Sequence, residues 1–329
     1  MSAFLHAIAT EVAARVQTND ELVAGVDGWT ADRIFTRTGL TERRIAAGDE
    51  TAGDLCCRAA ERLFAESGID RATIDTLIVC TQSPDYFLPS TACVLQDRLR
   101  LPRSVAAFDL GLGCSGYTYG LWLARSLVLS ESSSNVLLLA GDTYSKYCHP
   151  QDLAVASLFG DGATASVITK SPESVWAKIG PSVLGTDGRG AANLIVRAGA
   201  SRLPTSETPS DRYLHMDGAE IASFAVSTVK TVVTSLLDKV GLRWPDIDGF
   251  VFHQANPTFV QRLTAAYRLP PEKVPIGLSN VGNTCSATIP MVLEQCARSG
   301  RFQPGQTLVL VGFGVGYSWA ATLIEWKKS

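Results

Sequence analysis

The sequence predicts an α/β fold made of two duplicated halves, and three observations carry that expectation. Short continuous apolar runs alternate with amphipathic stretches along most of the chain. Such runs are the pattern of strands buried on both faces of a sheet. The second half of the chain echoes the first at a nearly constant spacing. The length of 329 residues, with 46% hydrophobic and 19% charged side chains, exceeds one average domain of about 150 residues and excludes a disordered chain.

Taken in order, residues 51–67 read as a helix, with Leu55, Ala59 and Leu63 on one face. Residues 75–81 form a strand buried on both faces, and residues 105–110 form another. A mostly apolar helix is predicted over 115–129, a polar loop over 131–135, and strands over 136–140 and 163–169. Asp75-Thr-Leu-Ile-Val-Cys-Thr-Gln-Ser-Pro84 matches Asp248-Gly-Phe-Val-Phe-His-Gln-Ala-Asn-Pro257 at an offset of 173 (75 to 248). Gly113-Cys114 matches Gly282-Asn283 at 169 (113 to 282), and the run from Val136 matches the run from Leu308 at 172 (136 to 308). Three matches in one order at nearly one spacing indicate an internal duplication whose period is far too long for a solenoid. The halves are expected to divide near Pro172, as residues 1–172 and 173–329. Residues 199–211, rich in Ser, Pro, Thr and Arg, read as a surface loop of the second half.

Charge and cysteine usage remove several classes of function. Lys and Arg number 29 against 32 Asp and Glu, a net charge of −3. No basic surplus points to nucleic acid or an anionic membrane. No uninterrupted apolar run approaches the ~18 residues of a membrane-spanning helix, and residues 1–10 lack a basic stretch ahead of an apolar one. A cytoplasmic location is therefore expected. The cysteines are Cys56, Cys57, Cys80, Cys93, Cys114, Cys148, Cys285 and Cys296, and no pair has the two-residue gap of a zinc or redox motif. Cys148 and His149 are adjacent but have no second ligand pair, so no metal is expected.

The duplication superposes reactive side chains. Cys114 and Asn283 occupy equivalent positions, each after a glycine and before a helical pattern, and His253 ends the second half's buried strand. Strand ends and helix starts of an α/β sheet gather in one crevice, so the three are expected to meet. A thiol at a helix start faces unpaired N–H groups and the positive end of the helix dipole, which favour thiolate. Read singly, His253 is a core histidine and Asn283 a helix N-cap; it is the combination that indicates chemistry. Gly111-Leu-Gly113-Cys-Ser-Gly116 also fits a dinucleotide-binding fingerprint, but the acidic residue needed about twenty positions on falls, as Glu131, in a polar loop before the next strand. A papain-like protease shares the order Cys, His, Asn, but its Cys-Gly-Ser-Cys-Trp signature is missing.

Seven stretches carry a family resemblance: Thr36-Arg-Thr-Gly-Leu-Thr-Glu-Arg-Arg-Ile-Ala46, Pro89-Ser-Thr-Ala-Cys93, Gly113-Cys-Ser-Gly-Tyr117, Phe159-Gly-Asp-Gly-Ala163, His253-Gln-Ala-Asn256, Gly282-Asn-Thr284 and Gly312-Phe-Gly-Val-Gly-Tyr-Ser-Trp319. With these the chain resembles the ketoacyl-ACP synthase III family of the thiolase superfamily. The resemblance implies a five-layered αβαβα fold, a homodimer, no cofactor, and a Cys-His-Asn triad of Cys114, His253 and Asn283. It implies an acyltransferase that condenses an acyl thioester with malonyl-ACP, loses carbon dioxide, and works in fatty acid or polyketide synthesis. The alternative on the same fold moves an acyl group to a hydroxyl or amine without condensation. Oxyanion donors would be the backbone N–H groups of Cys114 and Val315. Substrate-contact positions fall on Arg33, Leu88, Leu153 and Asn256, and acyl carrier docking on Arg262. Well-known members carry tryptophan at the first of these, arginine at the third and often phenylalanine at the second, so a carrier-bound or longer-chain donor is expected to outperform acetyl-CoA.

Overall fold

The computed structural model describes residues 2–328. Its first half contains β1 (Ala3–Val12), β2 (Arg15–Thr18), α1 (Asn19–Val23), α2 (Ala31–Thr38), β3 (Glu42–Ile45), α3 (Ala52–Ser67), β4 (Thr76–Cys80), α4 (Thr91–Arg98), β5 (Ala106–Leu110), α5 (Gly116–Leu129), β6 (Asn135–Asp142), α6 (Leu153–Ala156) and β7 (Gly162–Thr169). The second contains β8 (Ala177–Thr186), β9 (Leu194–Ile195), β10 (His215–Met216), α7 (Gly218–Val240), β11 (Gly249–Phe252), α8 (Pro257–Ala266), α9 (Thr288–Ser299), β12 (Thr307–Gly314) and β13 (Ser318–Trp326).

Local chemistry fixes the element ends that matter. Thr51 caps α3 in a reciprocal box with Asp54, and Gly68 closes it in the left-handed region. β4, a run of Thr-Leu-Ile-Val-Cys, is buried at every position because a strand lies on each side of it and helices cover both faces.

Nine strands form one sheet in the order β11-β12-β13-β8-β1-β7-β6-β4-β5. Setting the end strand β5 aside, β4-β6-β7-β1 and β11-β12-β13-β8, read inward, have the same sequence of directions: one parallel pair, then two antiparallel pairs. Short pairing of β1 with β8 through Ala3–Leu5 joins the two sets. The core clusters define the layers. α3 and α4 cover one face of the first set, and α7 and α8 one face of the second. Between the sets lie α5 and α9, contributing Tyr117, Leu121, Leu293 and Cys296 to the central core. The five-layered αβαβα arrangement is thus helices, strands, helices, strands, helices.

One expectation needs correction. The 105–110 run is a strand but is not buried on both faces: β5 ends the sheet, and Phe108 is 36% exposed. Its Ala-Ala-Phe-Asp-Leu composition carries the apolar content of an interior strand without a second neighbour to cover it. By length and mean hydropathy alone α7 could cross a membrane, but Ser, Thr and Lys interrupt its apolar residues. Here it is an outer-layer helix, with Val229, Val232, Val233 and Leu236 packed on the sheet and Lys230 exposed. Residues 199–211 form an irregular, mostly exposed loop.

Candidate active site

Cys114 stands where β5 turns through Gly111-Leu-Gly113 into α5, and the Gly116 N–H closes the turn on the Gly113 carbonyl at 2.7 Å. Gly116 and Gly314 leave no room for a side chain beside the turn. A Cβ on Gly116 would lie 2.2 Å from the Cys80 sulfur, and one on Gly314 2.6 Å from the Cβ of Cys114. The end of β12 therefore passes directly against Cys114 and places Val315 beside it.

His253 follows β11, its N–H donating to the Val311 carbonyl at 2.8 Å. Its ring stands edge-on to Phe313, with centroids 5.6 Å apart, and Nδ1 lies 2.7 Å from Thr288 Oγ1. Asn283 sits on the turn before α9. Its N–H donates to the Leu158 carbonyl at 2.8 Å, and its carbonyl accepts from the Gly160 N–H at 3.1 Å. Asn283 Oδ1 accepts from the Cys285 N–H at 2.9 Å, which leaves the amide NH2 to donate. All three side chains are buried, and all three line one cavity of about 450 Å3.

The electrostatics distinguish Cys114 from its neighbours. A hydrogen bond from the Cys285 thiol, then the charge of and hydrogen bond from His253, and its own backbone N–H, pull the Cys114 thiol well below the usual range against the opposing effect of burial. Burial pushes Cys285 and Cys80 up instead. Behind them Asp142 is completely buried; burial pushes its carboxyl up to about 7 despite hydrogen bonds from the Gln82 N–H and from Ser286.

The remaining sequence-assigned residues separate into two groups. Asn256 and Arg262 line the same cavity, Asn256 with its Oδ1 capping α8 through the Phe259 N–H at 2.8 Å. Arg33, Leu88 and Leu153 do not. Arg33 lies on the surface with its guanidinium 4.6 Å above the Trp29 ring. Leu88 is 87% exposed, and Leu153 is 1% exposed within the core, so Leu153 presents nothing to a ligand in the cavity. Sequence reading passed over Arg37, which shares the cavity mouth with Arg262, and over Cys285 and Thr288, which hold Asn283 and His253. The polar residues that follow Asn283 were the available signal, since a buried helix start has little other use for a run of Thr, Cys and Ser. Among the described residues no group of three or more His, Cys, Asp or Glu is placed to hold a metal.

Comparison with known proteins points the same way at each level. The family described as 3-oxoacyl-[acyl-carrier-protein (ACP)] synthase III matches residues 108–188, which include Cys114. Its C-terminal family matches residues 237–326, which include His253 and Asn283. The beta-ketoacyl-[acyl-carrier-protein] synthase III of Syntrophomonas wolfei is 37% identical over 321 residues, 95% of this chain and 94% of that one. A crystal structure of a 3-oxoacyl-(acyl-carrier-protein) synthase III superposes with a TM-score of 0.94 at 44% identity, over 99% of this chain and 100% of the other. The priming beta-ketosynthase of the R1128 polyketide pathway superposes with a TM-score of 0.89 at 31% identity, over 100% of this chain and 97% of its own. With relatives this close over nearly its whole length, the chain belongs to the 3-oxoacyl-[acyl-carrier-protein] synthase III family.

Proposed function

We propose that the protein joins an acyl thioester to malonyl-ACP by decarboxylative condensation, with Cys114, His253 and Asn283 as its catalytic residues. The observation that carries this reading is the cavity floor. There the Cys114 thiol, whose neighbours draw it below the usual range, lies with an imidazole and a carboxamide whose other polar atoms are already engaged.

The chemistry runs in two half-reactions. The Cys114 thiolate attacks the thioester carbonyl, the oxyanion takes the N–H groups of Cys114 and Val315, and the donor's thiolate leaves and is protonated by water. Malonyl-ACP then loses carbon dioxide. The electron pair moves to the thioester oxygen, where His253 Nε2 and the Asn283 amide donate hydrogen bonds. The carbanion attacks the acyl-Cys114 carbonyl, the new carbon–carbon bond forms, and the thiolate is restored. No step transfers electrons to or from an outside group, so the reading calls for no cofactor. Arg37 and Arg262 at the mouth give the carrier's phosphate a cationic approach, and Asn256 lies along the same route.

The reading extends to organisation. Residues 1–172 and 173–329 are two halves of one duplicated unit, supported by the matching strand directions. The enzyme is a cytoplasmic homodimer: β5 is an uncovered sheet edge, and nearby Phe87 is 84% exposed, an arrangement that a second copy would cover while carrying Leu88 toward its partner's acyl group. Intact-protein mass spectrometry with acyl-CoA and acyl-ACP donors, followed by carbon dioxide release from malonyl-ACP, tests the function. An acylated enzyme that never decarboxylates malonyl-ACP would favour plain acyl transfer.

A further inference from the structure

Asp142 ends β6 with its side chain fully buried, and it touches both halves of the chain at once. Its Oδ1 accepts from the Gln82 N–H at 2.8 Å and from the hydroxyls of Thr81 at 3.2 Å and Ser83 at 3.3 Å, all just beyond the end of β4. Its Oδ2 accepts from the Ser286 hydroxyl at 2.7 Å and from the Ser286 N–H at 3.3 Å. A backbone N–H can only donate, so one such group from each half fixes each carboxyl oxygen. The arrangement is the same whether the carboxyl is charged or neutral.

The two ends of this contact lead to different groups of the site. Gln82 sits against the turn before Cys114, since a Cβ on Gly113 would lie 2.3 Å from Gln82 Oε1. Ser286 belongs to the turn that orients the other two side chains. There the Cys285 N–H donates to Asn283 Oδ1 at 2.9 Å, and the Cys285 carbonyl accepts from the Thr288 hydroxyl at 3.2 Å. That hydroxyl lies 2.7 Å from His253 Nδ1. Cys285 reaches this geometry with φ at +50°, in the left-handed region that disfavours a residue with a Cβ. Such a conformation persists only where its surroundings over-determine it, and the next residue is the one tied to Asp142.

From this geometry we infer that Asp142 is a positioning residue. It locks the Cys285–Ser286 turn to the end of β4, and so holds Asn283 and His253 in register with Cys114. Asp142 does not line the cavity, so it acts through the turn and not on the substrate. The inference rests on the two-step reading above and adds to it what keeps the donors of the second half aligned with the nucleophile of the first. The two half-reactions make unequal demands on this tie. Acylation uses Cys114 and the backbone N–H groups of Cys114 and Val315, which lie outside the Cys285 turn. Decarboxylation needs Asn283 and His253 to converge on one oxygen, so a turn that drifts costs that step most.

The test separates the half-reactions. Asp142→Asn nearly keeps the shape but sets an NH2 group against groups that donate to the carboxyl. Decarboxylation of malonyl-ACP by the acylated enzyme should fall about tenfold in kcat, the scale of one buried hydrogen bond, with KM within about twofold. Acylation of Cys114, followed by intact-protein mass spectrometry, should fall less. Ser286→Ala should show the same selective loss, and adding it to Asp142→Asn should cost nothing further, since both variants remove one tie. Equal losses in the two half-reactions, a loss confined to KM, or single losses that multiply in the double variant overturn the inference. If Asp142→Asn does not fold, Ser286→Ala alone decides, and normal decarboxylation by the folded variant overturns it. A wild-type enzyme that acylates but never decarboxylates malonyl-ACP removes the two-step reading instead. Thermal melts then still read the tie: the shift caused by Ser286→Ala should vanish in the Asp142→Asn background, and additive shifts overturn it.

Discussion

Burial ordinarily keeps a thiol protonated, as it does at Cys56, Cys80 and Cys285. Cys114 departs from this because hydrogen-bond donors and a histidine surround it and draw the thiol down despite its burial. Iodoacetamide at neutral pH should label Cys114 before Cys93, although Cys93 is the exposed one; peptide mapping by mass spectrometry reads the order, and faster labelling of Cys93 would contradict the account. Cys114→Ala should take up no acyl group, whereas Cys285→Ala should still acylate. His253→Ala and Asn283→Ala should each slow carbon dioxide release from malonyl-ACP by roughly two to three orders of magnitude, the scale of one lost oxyanion donor. Acylation of Cys114 should fall less in Asn283→Ala than in His253→Ala, since of these two only the histidine acts on the sulfur. Equal losses in the two half-reactions for Asn283→Ala would remove the asparagine from the decarboxylation step.

The elements around the site work by close approach. Phe159-Gly160 bridges the Asn283 turn, and a Cβ on Gly160 would lie 1.9 Å from the Val281 carbonyl oxygen. Gly160→Ala must displace that turn, at a stability cost of about 1–3 kcal/mol. Decarboxylation should suffer more than Cys114 acylation, as a comparison of the two rates would show. Glycines of this kind explain what could be read from the chain and what could not. Cys114, His253 and Asn283 were legible because the duplication aligned two of them and a strand end marked the third. β4 was legible because a strand covered on all sides has a continuous apolar run. β5 has much the same run, and its place at the sheet edge depends on which strands pair, which no local pattern records. Leu153 was misplaced for a related reason: its position in a motif was visible, but its burial depends on how α6 packs. Cys285 and Thr288 escaped because their polar groups act through backbone contacts rather than through a recognisable spacing.

Across the whole molecule, the site and the stability share a buried carboxyl. The folded-state value of Asp142, about 7, lies above the ~3.9 of an unfolded aspartate. A raised value means that its contribution is fully present below the unfolded value and is lost as pH rises through the folded one. Thermal melts from pH 5 to 8 should therefore show a decline in the wild type that is flatter in Asp142→Asn; parallel slopes would show that the carboxyl is ionised throughout. At the surface, the proposed dimer predicts that Phe108→Lys on the exposed edge of β5 shifts sedimentation toward monomer, and an unchanged boundary would remove that edge from the proposed contact. The division of the site between remote stretches of chain has a further consequence during synthesis. Cys114 leaves the ribosome early, and roughly 170 more residues must follow before Asn283 is made, about 10–30 s at bacterial rates of translation. Until the Thr288 segment emerges, the nascent thiol has neither His253 nor Cys285 beside it and remains an ordinary cysteine. The groups that draw the Cys114 thiol down are thus assembled only after most of the second half has been made and folded.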